Sequence, residues 1–244
     1  MGKLMVFALL WRLTGNPLVA GLILIVAALA TDRFALGLLP HSFYARFRFG
    51  EIARLRDVVR VNPHDRPARR ALAELLVARG QHRQAAQIVT PALATDRPEP
   101  GTLLVAAEAF LGAGEPARAR SALEAAESVA HSHQAYDVAL LAGRVLEAQG
   151  RPVEAVEAYR EAVACLPGRV EPRFRLSRAL KAAGDPATAE ETRRGAWTAY
   201  TQAPGFQRRQ ERRWAWRANP ARPMLYAAVL FGLGVASAVT FGAG

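Results

Sequence analysis

The sequence predicts an all-α protein: a solenoid of about four helix-turn-helix units preceded by a half-unit, with an apolar helix of membrane-spanning length at each end. Three observations predict it. Glycines at positions 80, 114, 150 and 184 stand 34, 36 and 34 residues apart, a spacing that marks a repeat array. Around each of them small and aliphatic residues recur at intervals that share one face of a helix. Finally, stretches without charge occupy both ends of the chain.

Composition bounds the alternatives. The chain has 244 residues, 51% of them hydrophobic, and 32 Lys and Arg against 21 Asp and Glu give a net charge of +11. So apolar a composition excludes a disordered chain. Cys165 is alone, which excludes an intrachain disulfide scaffold and is compatible with a reducing compartment.

Residues 1–12 form a short apolar or interfacial segment carrying Lys3 and Arg12. Residues 13–31 are expected to be a first transmembrane helix, because 19 residues without charge span roughly the 30 Å of a bilayer core. A rival reading stays open here, a secretory signal peptide with Lys3 and Arg12 as its basic head, Leu18 to Ala27 as its apolar region and Ala28-Leu29-Ala30 as its cleavage site. Against it stand the apolar run from Leu4 to Trp11 and the return of apolar residues at 34–39. Residues 32–45 are a connector. Residues 46–65 hold the half-repeat, a helix from about Arg46 to Val61 that buries Phe49, Ile52, Leu55 and Val59 and closes at Asn62-Pro63.

Residues 66–205 hold the four full units. Eight residues before each turn glycine stand Leu72, Ala106, Ala142 and Leu176, and four before it Leu76, Phe110, Leu146 and Leu180. Five after it comes Ala85, Ala119, Ala155 or Ala189, and twelve after it Ala92, Ala126, Ala162 or Ala196. Alanines let paired helices approach closely, and glycine supplies the positive φ that ends the first helix of each pair.

This pattern resembles the tetratricopeptide repeat over about residues 66–203, and the third unit carries it most fully, with Ala142-Gly143, Leu146, Gly150, Ala155, Tyr159, Ala162 and Pro167. The chain is identified as a membrane-anchored, bacterial-type member of that family. Arg193 departs from the pattern, taking the slot that Val89, Leu123 and Tyr159 fill in the other units, so the fourth unit is expected to be a capping one with a polar outer face. In this family the first helices of successive units line a concave groove that holds peptides or helices. The resemblance therefore implies a partner groove of Arg70, Glu74 and Val77, then Leu104, Glu108 and Leu111, then Asp137, Leu140, Arg144 and Glu147, and last Phe174, Arg178 and Lys181. Glu74 and Glu108 stand where a clamp for a chaperone's terminal carboxylate would suffer repulsion, so no such clamp is expected.

Residues 206–222 form a basic juxtamembrane segment in which Arg208, Arg209, Arg212, Arg213, Arg217 and Arg222, with Trp214 and Trp216, are expected to meet anionic headgroups. RNA is the rival partner for the same mixture of arginine and tryptophan. Residues 223–244, without any charge, are the second expected transmembrane helix, and the arginines before it place the repeats in the cytoplasm of an inner or plasma membrane. Gly232, Gly234, Ala236 and Ala238 form small-xxx-small pairs there, which leaves self-association open.

The function expected is a scaffold or adaptor that binds a protein or peptide in the groove at the membrane face, with no cofactor and no catalysis. No Gly-x-Ser-x-Gly elbow, His-Glu-x-x-His or Walker loop occurs. Glu154, Glu157 and Glu161 face Arg151 and Arg160 at helical spacing, as surface ion pairs do. His131 and His133 lack partners at metal-ligand spacing and are read as a polar loop. The glycine pairs at 112/114 and 232/234 belong to a repeat turn and to the second apolar stretch, not to phosphate-binding loops. The charge of +11 is itself uneven: residues 61–205 are nearly neutral, at +1, and the excess lies in 33–60 and 206–222.

Overall fold

The computed structural model describes residues 49–94, 98–129 and 134–221, together with Arg12, Gly15, Asn16, Val19, Ile23 and Met224. Among these residues every regular element is an α-helix. The half-unit is α1 (Phe49–Val61). The four units pair α2 (Arg66–Ala78) with α3 (His82–Leu93), α4 (Pro100–Ala113) with α5 (Pro116–Val129), α6 (Ala135–Ala148) with α7 (Pro152–Cys165), and α8 (Val170–Ala182) with α9 (Pro186–Gln202). A further helix, α10 (Gly205–Ala218), follows.

Local chemistry sets the helix ends. Asp65 caps α2 by accepting from the Ala68 N–H at 2.8 Å, and Asp185 caps α9 by accepting from the Thr188 N–H at 3.1 Å. Prolines open α4, α5, α7 and α9, where their missing N–H costs nothing. The four turn glycines all adopt positive φ, from 72° to 94°, and at Gly114 the N–H closes back onto the Leu111 carbonyl.

Packing follows the alternation expected of a repeat array. Each first helix lies against its partner within the unit and each second helix against the helix that follows it, and α2 meets α4, α4 meets α6 and α8 meets α10 along one side. The alanines at the two recurring offsets are buried in all four units. Ile52, Leu55 and Val59 of α1 are buried against the first unit. Three cores result: a large one from α1 to α6, a second among α7, α8 and α9 around Tyr159, and a third in which Val170 and Ala196 meet Trp214, Ala215 and Ala218 of α10. In the third unit Leu141 and Val145 are buried more fully than the expected Ala142 and Leu146, which are half-buried.

Three expectations need correction. The expectation of an integral membrane protein with its repeats in the cytoplasm is overturned: among the described residues no helix is long and apolar enough to cross a bilayer. The longest, α9, has 17 residues, about 25 Å at 1.5 Å per residue, and carries Glu190, Glu191, Arg193 and Arg194. The stretches 13–31 and 223–244, on which the two spans and the self-association rested, lie outside the described residues, a few isolated positions apart, as does Arg222. Second, the segment expected to face headgroups is α10, which buries Trp214 to 6% exposure inside the third core. Third, the fourth unit is not the polar cap, because α10 covers it; Arg193 binds the Ala218 carbonyl and pairs with Glu190 at 2.7 Å.

Candidate functional site

The first helices of the units line two adjoining concavities. The first, of about 400 Å³, is floored by Leu104, Val105, Leu140 and Leu141 and edged by Glu108, Asp137, Arg144, Glu171, Arg175 and Arg213. The second, of about 720 Å³, shares Arg144 and Arg175 and adds His82, Leu111, Glu147 and Arg178. The helical repeat explains the floor: Leu104 and Leu140 sit at the same offset from their turn glycines, so stacking the units aligns them.

Ion pairs join successive first helices across this surface. Arg70 of α2 donates to Glu99, just before α4, at 2.8 Å and lies 3.5 Å from Glu74. Arg144 of α6 donates to Glu108 of α4 at 2.8 Å. Arg175 of α8 donates to Glu171 at 2.8 Å and lies 3.7 Å from Glu147 of α6. Glu147 also accepts from the Tyr159 hydroxyl at 2.5 Å. That hydroxyl's pKa is pushed up by burial first and by the adjoining Glu147 second, so it stays a donor. Burial works against the Arg175 charge, but Glu171, Tyr159 and Glu147 more than offset it.

Glu211 of α10 completes the series. It is 4% exposed, accepts from the Arg169 side chain at 2.9 Å, and accepts from the backbone N–H of Glu171 at 3.2 Å. α8 has no side-chain cap of its own, so a carboxylate from another helix satisfies one of its free N-terminal donors.

Of the groove residues expected from the sequence, the structure brings Leu104, Glu108, Leu111, Asp137, Leu140, Arg144, Glu147 and Arg178 into these two concavities. Arg70, Glu74 and Val77 lie outside them, Val77 packing on the first core. Phe174 is not free: its ring packs on Trp214 at 5.8 Å. Lys181 is exposed beyond the lining. Among the residues expected at a membrane interface, only Arg213 reaches the groove. Arg175, Glu171, Val105 and Leu141 were missed. Glu171 stands at the offset of Asp137, and Arg175 at that of Val105 and Leu141, so carrying each offset through every unit would have found them. His131 and His133 lie outside the described residues, among which no group of three His, Cys, Asp or Glu is placed to hold a metal ion.

Comparison with known proteins agrees with this architecture. The sequence profile of the tetratricopeptide repeat family matches residues 67–89, 100–125, 137–161 and 170–194. No curated protein sequence matches the chain. Two crystal structures of MamA are similar to it at TM-scores of 0.53 and 0.54, each with 18% identity over 62% of this chain and over 81% and 87% of theirs. A thermophilic repeat protein of the same type from Thermus thermophilus is similar at a TM-score of 0.49, with 20% identity over 74% of this chain and 89% of its own. At these identities the likeness concerns the fold.

Proposed function

We propose that this chain, which carries four tetratricopeptide repeats, is a non-catalytic interaction scaffold whose concave groove holds a segment of a protein partner. The observation that carries the reading is the aliphatic floor of partly exposed Leu104, Val105 and Leu140 over buried Leu141, framed by charged side chains of which Glu108, Arg144, Glu171 and Arg175 are already paired. Apolar area of this kind contributes roughly 25 cal/mol per Å² when covered, and paired charges around it hold their positions without further ordering. Concave sites with an apolar floor and a few fixed polar groups are where ligands are usually held.

A photo-crosslinking amino acid placed at Leu104 or Leu140 tests it, with one at exposed Glu157 on a second helix of the third unit as control. Discrete protein adducts are expected from the two groove positions and not from the control. Equal adducts from all three positions, or none from the groove, would count against the reading.

A further inference from the structure

We infer that the end of the groove where α8 meets α10 receives carboxylates of an acidic partner segment, while neighbouring aliphatic residues of that segment seat on Leu104 and Leu140. This rests on the groove being a protein-binding site. It adds the chemistry of the partner.

The argument is one of pairing. The groove carboxylates Glu108, Glu147, Glu171 and Glu211 each engage an arginine of the chain. At the α2 end Arg70 is held between Glu74 and Glu99. At the α8–α10 end cations are left over. Arg178 lines the second concavity and Arg213 the first, and neither has a carboxylate partner among the described residues.

Arg213 and Arg217 lie 4.7 and 4.9 Å from the centre of the Trp214 ring, with Arg175 at 4.6 Å. Only Arg175 of these three is neutralised, by Glu171. The indole offsets part of the repulsion among three guanidiniums, but it takes up none of their N–H donors. Planar forks with unused donors fit carboxylates, which they can engage through two parallel hydrogen bonds. Asp137 is the one groove carboxylate without a salt bridge among the described residues, so a basic segment would meet more repulsion here than attraction. Single-stranded nucleic acid is disfavoured at this end of the groove because the aromatic faces there are covered, Trp214 being buried under its arginines and Phe174 packing on Trp214, while exposed Phe206 lines neither concavity.

Selection of a random short-peptide display library on the full chain tests the inference. Selected peptides are expected to carry Asp or Glu beside aliphatic residues. A synthetic copy of one, followed by fluorescence anisotropy, should bind roughly tenfold or more weakly to the Arg178→Glu/Arg213→Glu double variant and weaken with salt. The milder Arg178→Gln/Arg213→Gln variant answers the same question should charge reversal disturb folding. Peptides that lose binding with Leu104→Asp/Leu140→Asp but show no acidic preference and ignore both arginine variants overturn the inference and leave the groove reading standing. Peptides indifferent to all of these variants overturn both. Arginine-dependent binding of anionic lipid vesicles or RNA with no acidic peptide selected also overturns it.

Discussion

Gly143 and Gly114 show two different reasons for one residue type. Gly143 lies in the middle of α6 with ordinary helical φ, and a Cβ there would sit 2.3 Å from Cε1 of Tyr159. The ring cannot step aside, since it is fully buried and its hydroxyl is tied to Glu147. Gly114 has nothing within 4 Å of its Cβ position but a φ of 86°. Gly143→Ala is therefore expected to cost about 1–3 kcal/mol by overpacking, less the fraction that alanine returns as the better helix former. Gly114→Ala should cost about 1–2 kcal/mol from backbone conformation alone, and Gly114→Asn less. Denaturant unfolding of the three variants separates these outcomes; equal losses for Ala and Asn at position 114 would remove the backbone explanation. The turn glycines and buried alanines were legible in the sequence because repetition writes them four times at fixed offsets. The groove positions of Arg175 and Glu171 follow from the same offsets, but their pairing does not, because a charged residue on a half-buried face reads like one on a solvated face until its partners are known.

Among the elements, α10 departs furthest from its sequence reading. Five arginines and two tryptophans beside an uncharged stretch suggested a headgroup-facing segment, yet its buried residues Glu211, Trp214, Ala215 and Ala218 recur at helical spacing and form a packing face. That stripe was present in the sequence and was masked by composition. Its acidic member does the specific work of attachment, receiving Arg169 and capping α8. Glu211→Ala should loosen α10 by about 2 kcal/mol, since it strands a partly buried arginine and frees a helix N-terminal donor. Glu211→Gln should lose less, because its carbonyl oxygen still accepts from the Glu171 N–H. Hydrogen exchange of the α10 amides measures both, and unchanged protection in the alanine variant would show that the apolar contacts alone hold the helix.

Across the whole molecule, stability is expected to be regional. A stack in which each helix touches mainly its neighbours distributes folding energy along the array rather than around one centre. Leu72 is wholly buried in the first core, far along the stack from the third core around Trp214. Leu72→Ala should cost about 2–5 kcal/mol and raise exchange from α1 to α6 well before it does in α10. Uniform acceleration over the chain would instead indicate a single cooperative unit. The order and number of the repeats were legible from one line of sequence. The pairing that makes one end of the groove cationic was not, because it depends on which carboxylate each arginine reaches in three dimensions.

The capping of α8 by Glu211 also bears on the order of events after synthesis. A lone helix of 14 residues with five arginines and a single acid has little reason to form in water. Its docking is expected to follow completion of the fourth repeat, which presents both the N–H of Glu171 and the apolar seat for Trp214. α10 is the last of the ten described helices to leave the ribosome and is expected to be the last to acquire structure, so the environment of Trp214 should report that the array behind it is finished.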